Sequence, residues 1–480
     1  MLKAADSTPP LLSRDLREMF VGLDYEVPLL DGSRRRYVNL DNAATTPPLK
    51  SVLDCVNASA EWYSSVHRGT GFKSRVSTET FQRAHEKVLR FVGADPSYHS
   101  VVFCANATDG INRLSHRFLL HEEDVILVTV MEHHSNMLPW RCQGTVDYVR
   151  SDLSTGMLDL DDLEAKLLQY AGRVRLVAVT GASNVTGMAP PLKTVARLAH
   201  RHGAFLLVDA SQKVAHRPIE MGQGNDPERI DFLAFSGHKM YAPFGSGALI
   251  GPRSFFEKGR PGIVGGGAVK SVTLDDVEWA DVPDREEAGS PNLLGICALV
   301  EAMRALENLR MERIVAYEHV LTRKAIDRLS DIAGLTIFGA GGDCADRVGI
   351  IPFQLDAFDD ALVAAVLSHE WGIGVRNGCF CAQPYVARLL GVSAEETRRH
   401  LVAARNGTEL PHRGFVRISL ALYNTEEEVE YLARAIESIV ANGVRREYRQ
   451  DRRTGEYLPV GVDRSSPVGA SPDKVWLSAH

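Results

Sequence analysis

Val208-Asp209-Ala210-Ser211-Gln212 and, further along, Ser236-Gly237-His238-Lys239 decide the reading of this chain. The aspartate ends an apolar run, Ala204-Phe205-Leu206-Leu207-Val208, and the lysine follows another, Ile230-Asp231-Phe232-Leu233-Ala234-Phe235. Short apolar runs of this kind read as buried strands. Two strand ends therefore deliver a carboxylate and an amine to one edge of a sheet. Either residue alone is ordinary, since a lone Asp after a strand is usually a helix cap and a lone Lys a solvated loop residue.

From Tyr37 to Gly251 similar runs recur: Ser100–Phe103, Asp124–Val128 and Val174–Val179. Amphipathic stretches such as Thr80–Val92 separate them. Strands alternating with helices predict an α/β fold with a mostly parallel sheet between helices. Ligands in such sheets sit at the carboxyl ends of the strands. A long helical pattern runs from Asn292 toward Met311. Beyond it Val348–Phe353 and Phe415–Leu420 read as strands of a smaller α+β domain. The expected division is an N-terminal segment, 1–36, packing on the small domain, a large domain at 37–292, a small one at 293–444 and a tail at 445–480. The charged stretch Ser393–Arg413 reads as an excursion within the small domain. The tail, rich in charge, Pro, Gly and Ser, reads as poorly packed or as an arm over a neighbouring subunit.

The bulk properties exclude several classes. The chain has 480 residues, 45% of them hydrophobic, and a formal charge of −7. That suits a soluble protein of about two or three domains and gives no basic field for nucleic acid. No apolar run would span a bilayer, and Met1–Asp6 lacks the apolar core of a secretory signal. Seven scattered cysteines, at 55, 104, 142, 297, 344, 379 and 381, point to reduced thiols and a cytoplasmic home.

An amine beside a carboxylate is the pair that pyridoxal phosphate chemistry requires. The lysine forms the Schiff base, and the acid keeps the pyridinium nitrogen protonated. Other segments suit the rest of that cofactor. Asn106-Ala107-Thr108 opens a helical pattern after a strand, which would offer N–H groups and a hydroxyl to a phosphate; an ordinary N-cap reads the same way. Ser236 and His238 add donors. In Glu132-His133-His134-Ser135-Asn136 an imidazole could stack on the ring and shuttle protons. No third metal ligand stands at suitable spacing, so no metal is expected. Arg417, inside a buried-looking strand, wants an anion: a substrate carboxylate or a structural partner. Arg376-Asn377-Gly378-Cys379-Phe380-Cys381 places two thiols in a glycine-containing turn near a cation, where thiolates are favoured. A zinc half-site or a redox pair would show the same spacing.

With these residues in place, the chain resembles the class V aminotransferase family of fold type I pyridoxal phosphate enzymes, most closely the group II cysteine desulfurases and selenocysteine lyases. The resemblance runs from about Tyr37 to Val440. It is carried also by Asp41-Asn42-Ala43-Ala44-Thr45-Thr46, Val66-His67-Arg68-Gly69, Ser183-Asn184-Val185-Thr186-Gly187 and Glu287-Ala288-Gly289-Ser290-Pro291-Asn292. It implies Lys239 as the Schiff-base lysine, Asp209 at the pyridinium nitrogen, Gln212 at the ring hydroxyl and His133 stacked on the ring. Thr108, Ser236 and His238 would hold the phosphate, with Ser290 reaching across from the second subunit of a homodimer. Asn184 and Arg417 would hold the substrate carboxylate, with His67 and Arg376 lining the pocket. Cys381 falls where desulfurases keep the nucleophile that takes sulfur from cysteine as a persulfide, for transfer to an acceptor protein. Two departures stand out. Cys379-Phe380 occupies the place of two histidines, so that Cys-Phe-Cys is more similar to the loop of molybdenum-cofactor sulfurases. Asn106-Ala107-Thr108 replaces a more usual Gly-Thr-Thr. The alternatives are a selenocysteine lyase, an epimerase or another C–S lyase of the same family.

Overall fold

The computed structural model describes residues 16–67, 69–339, 341, 347–407, 413–451 and 454–461. The N-terminal fifteen residues, Arg68, Cys344, part of the 393–413 excursion and the end of the tail lie outside the described residues.

The large domain is built on a seven-stranded sheet. In spatial order its strands are His99–Cys104, Gly247–Pro252, Phe232–Ser236, Phe205–Asp209, Val174–Thr180, Val125–Thr129 and Thr145–Val149. All neighbours are parallel except Gly247–Pro252, which runs antiparallel to both of its partners. Helices cover both faces, so the central strands are apolar on both sides and read as continuous runs rather than alternating ones. Phe72–Phe91 shows the complementary period: Ser74, Ser77, Phe81, Ala84 and Val88 share its buried face.

The small domain carries an antiparallel sheet in the order Leu335–Ile337, Ile350–Leu355, Phe415–Ser419, Arg376–Gly378. The helical pattern after Asn292 is two helices, Leu293–Leu309 and Met311–Ser330. Arg310, at φ 66°, breaks them apart and turns the second onto the small domain. Residues 16–36 touch both domains. Phe20 packs edge-on against Tyr241 and Tyr423, and Arg17 pairs with Glu428 at 2.6 Å.

The excursion holds a helix, Ala394–Arg405, none of whose residues is buried. The tail differs from expectation at its start. Tyr448–Gln450 and Tyr457–Pro459 form a hairpin, and the Tyr448 hydroxyl donates to Glu370 at 3.1 Å. Two tyrosines amid the charged residues supply the apolar contact that the composition masked.

Candidate active site

Four neighbouring strands end at one place. Phe205–Asp209 brings Asp209, and Phe232–Ser236 runs into the single turn Gly237–Lys239. Val125–Thr129 leads to His133, and Val174–Thr180 to Asn184. Together with the loop of Cys381 and the strand of Arg417 they enclose a cavity of about 370 Å³. Thr108, His133, Asn184, Asp209, Ser236, His238, Lys239, Arg376, Cys381 and Arg417 all line it. Gln212, His67 and Ser290 do not. Gln212 is buried, its amide donating to the Ala43 carbonyl at 2.7 Å. His67 packs its ring on Phe81 at 5.3 Å, and Ser290 is exposed.

The electrostatics favour neutral bases. Burial pulls the Lys239 ammonium below its ordinary range, with Asp209 opposing and Arg417 assisting. Burial, then the lysine charge, drives His133 down to about 4. His238 is lowered by the same two causes. Lowering the pKa of a buried lysine makes its free amine, the form that attacks a carbonyl, easier to reach.

One end of the cavity is built for an anion. Asn106 caps the helix Ala107–Arg117 by accepting from Asp109 N–H at 3.0 Å. The ordinary cap and the anion site are thus the same turn. Thr108 and Ser135 hydroxyls stand 2.6 Å apart, and Ser135 Oγ lies 2.9 Å from His133 Nδ1. Ser236 Oγ accepts from Ala107 N–H at 2.8 Å. The turn approaches this closely because residue 247 is glycine. A Cβ there would stand 2.7 Å from the Phe235 carbonyl and 2.8 Å from Asn106 Cα.

The opposite end carries the arginines and the thiols. Arg376 and Arg417 face each other across an antiparallel pair, and Asp41 takes both, at 2.7 and 3.1 Å. Arg417 also donates to the Asn184 carbonyl at 2.9 Å, while its buried Nε has no partner. Burial lowers this guanidinium to about 10. Phe380 and Cys381 both sit at positive φ, 53° and 55°, a costly conformation for side-chain-bearing residues. Three hydrogen bonds hold it: Ala382 N–H to Cys379 O at 2.8 Å, His134 N–H to Cys381 O at 2.8 Å, and the Asn184 amide to Phe380 O at 2.7 Å. The Arg417 guanidinium stacks 4.5 Å from the Phe380 ring centroid. Cys381 is exposed to the cavity. Cys379 is half-buried, and burial, with the Asp360 charge, pushes its thiol up to about 11.

A family model, aminotransferase class-V, matches residues 38–432. The chain belongs to the class-V aminotransferase family. A probable cysteine desulfurase of Halalkalibacterium halodurans is 33% identical over 434 residues, 88% of this chain and 97% of that protein. A cysteine desulfurase of Haloferax volcanii is 33% identical over 84% of this chain and 89% of its own. Among solved structures, the apo cysteine desulfurase of Thermococcus onnurineus superposes with a TM-score of 0.74 at 28% identity, covering 84% of this chain and 94% of that one. The Escherichia coli cysteine desulfurase CsdA, in an S-sulfonic acid form, gives 0.72 at 27%, covering 89% and 98%. The architecture is the fold type I expected from the resemblance.

The donor set fits the cofactor of this family. The capped helix end and the Thr108, Ser135 and Ser236 hydroxyls suit a phosphate. Asp209 and Lys239 share the cavity floor, and neutral His133 stands beside them. Three participants were missed in the sequence. Asp41 and Ser135 lie inside recognised motifs but carried no assigned role. Glu132, next to His133 in the chain and fully buried, accepts from Thr180 N–H at 2.7 Å, from the Asn136 amide at 2.7 Å and from the Thr129 hydroxyl. Its spacing from Thr129 and Asn136 is the only trace of this network in the sequence.

Proposed function

We propose that the chain is a pyridoxal phosphate-dependent cysteine desulfurase that leaves alanine and carries the sulfur as a persulfide on Cys381. The observation that carries this reading is the thiol of Cys381 in one cavity with Lys239, on a turn pinned by His134, Asn184 and Arg417. Thr108, Ser135, Ser236 and His238 would hold the phosphate, Asp209 the ring nitrogen and Lys239 the aldehyde carbon. When bound, the cofactor supplies an electron sink for the substrate α-carbon.

The chain's own residues supply the rest. Arg417 lines the cavity and would hold the substrate carboxylate through guanidinium N–H groups not taken by Asp41 or the Asn184 carbonyl. The Lys239 amine takes the α-proton, and neutral His133 can hold or return a proton. Cys381 Sγ bonds to the substrate sulfur as the C–S bond breaks. The carbon keeps the electron pair and is protonated, leaving alanine. The persulfide then passes to an acceptor protein. Exposed Ser290, off the cavity, supports a homodimer in which it reaches the partner's phosphate. Among the described residues no helix is long and apolar enough to cross a membrane; cytoplasmic residence rests on the reduced cysteines.

The test is L-cysteine turnover by the cofactor-loaded protein. Alanine and persulfide should form together, Cys381→Ala should lose both while keeping the cofactor, and borohydride should fix the cofactor to the peptide of Lys239. Alanine from the Cys381→Ala variant would replace the desulfurase with a C–S lyase.

A further inference from the structure

The Cys381 turn holds a second thiol that the reaction above does not use. Cys379 and Cys381 flank Phe380 in a turn closed by the Ala382 N–H to Cys379 O bond of 2.8 Å. Two Cα steps of about 3.8 Å, folded by such a turn, leave these Cα atoms on the order of 5–6 Å apart. That falls within the disulfide range of about 4.4–6.8 Å. The Cys381 sulfur is near enough to oppose ionisation of Cys379. Their surroundings differ. Cys381 opens to the cavity, while Cys379 is half-buried with its Sγ 3.8 Å from the Arg413 carbonyl.

We propose that Cys379 is the resolving thiol of the Cys381 persulfide: its sulfur displaces the outer sulfur from Cys381, forming a Cys379–Cys381 disulfide and releasing hydrosulfide. The step balances without an external oxidant. The new bond joins Cys379 Sγ to Cys381 Sγ, and the bond from Cys381 Sγ to the outer sulfur breaks. The outer sulfur leaves with the electron pair as hydrosulfide; the Cys379 sulfur is oxidised, the sulfane sulfur is reduced, and Cys381 Sγ, already oxidised in the persulfide, keeps its level. An undelivered persulfide is thereby discharged, and the enzyme rests as a disulfide until a thiol reductant reopens it. The inference rests on the reading that Cys381 carries sulfane sulfur.

The surroundings of Cys379 set the rate. Asp360, on the neighbouring helix Asp360–Trp371, faces the thiol together with Cys381 from its own turn. Asp360 itself accepts from Gly414 N–H at 3.2 Å and lies beside Asp359 and the Asn377 amide. Tyr457 of the tail hairpin faces the same acids. With a thiol raised to about 11, the thiolate at neutral pH is about one molecule in ten thousand. Discharge is therefore slow beside delivery to an acceptor, and it quickens about tenfold for each pH unit of alkalinity.

The experiment supplies one equivalent of L-cysteine, consumed in a single turnover, to the anaerobic cofactor-loaded full chain without acceptor or added reductant, and follows alanine, hydrosulfide and the mass of the peptide holding both cysteines. Alanine should appear first, then hydrosulfide in equal amount as the peptide loses two hydrogens, faster at alkaline pH. Cys379→Ser should form alanine as before and retain the added sulfur on Cys381. Asp360→Asn should discharge several-fold faster at neutral pH. A wild-type peptide that keeps its added sulfur at alkaline pH, or a Cys379→Ser variant that releases hydrosulfide at the wild-type rate, overturns the proposal. If no alanine forms, the desulfurase reading fails separately. Charging the protein with sodium tetrasulfide then decides the resolving role by the same peptide: linkage in the wild type and none in Cys379→Ser supports it, no linkage in the wild type overturns it.

Discussion

Arg376 and Arg417 stand directly opposite one another in the small-domain sheet, and one carboxylate, Asp41, binds both guanidinium groups. Like charges in cross-strand register repel. Asp41 comes from the start of the large domain, where it makes a parallel bridge to Ser419. The substrate end of the cavity thus arrives with an anion already in place, and an incoming carboxylate must share the cations with it.

Asp41→Asn is accordingly expected to destabilise the ligand-free protein by about 3 kcal/mol, because it leaves the buried Arg417 charge uncompensated. Excess L-alanine, whose carboxylate can replace the missing anion, should recover part of the loss. Thermal unfolding with and without alanine measures both. Equal losses in the two conditions would show that Asp41 acts away from the carboxylate site.

Glu132 precedes His133 in the chain and anchors the start of its loop in the core. Its carboxylate accepts from Thr180 N–H, the Asn136 amide and the Thr129 hydroxyl. Glu132→Gln turns an NH₂ group toward at least one of these donors. A buried donor without an acceptor costs about 1–3 kcal/mol, and the loop of His133 should shift. Urea unfolding should register the first effect and weaker cofactor binding the second. An unchanged cofactor affinity would detach Glu132 from the placement of His133.

Much of this site was legible because strand ends and helix starts have local signatures. Lys239 and Asp209 follow apolar runs, and Asn106–Thr108 follows a strand and opens a helix. What stayed hidden depends on tertiary placement. Arg417 read equally well as a substrate clamp or a structural pair, and the fold gives it Asp41 as a partner while keeping it in the cavity lining. The resemblance singled out Cys381 by position, but the chemistry of the turn's own residues does not separate it from Cys379. The difference between them comes from Asp360 and Arg413, which the fold brings together from distant parts of the chain. The break at Arg310 was also unreadable, since arginine carries no turn signal and its positive φ is imposed by the packing of two helices on different domains.

His133 gives the site a pH signature. Its folded value, about 4, lies below the ordinary 6.5, so the unfolded chain binds the proton more readily. The corresponding stability is complete above 6.5 and is lost as pH falls toward and through 4, by at most about 3 kcal/mol. Urea midpoints of the cofactor-free protein should decline across that window, and His133→Phe should flatten the decline. A slope unchanged by the substitution would assign the acid sensitivity to other groups.

Ser290 supports a test of subunit sharing. The residue is exposed and absent from the cavity of its own chain, while its loop is fixed to the large domain. Gly289 N–H donates to Gly266 O at 2.8 Å, and Glu287 accepts from Phe103 N–H at 2.6 Å and meets His85 at 3.1 Å. A fixed loop that leaves its own cavity unlined by Ser290 is compatible with completing a partner's site across a two-fold axis. Lys239→Ala should be inactive, and Ser290→Asp should bind the phosphate poorly through charge repulsion. In a mixed dimer of the two variants, one site combines the intact Lys239 of the second chain with the intact Ser290 of the first. Co-refolding the variants should therefore restore alanine formation that neither shows alone, toward one active site in four for random pairing in equal amounts. Restored activity should be matched by cofactor retention in the same fraction. No rescue, with mixed dimers demonstrated by differential tags, would place Ser290 in the service of its own chain or of neither site.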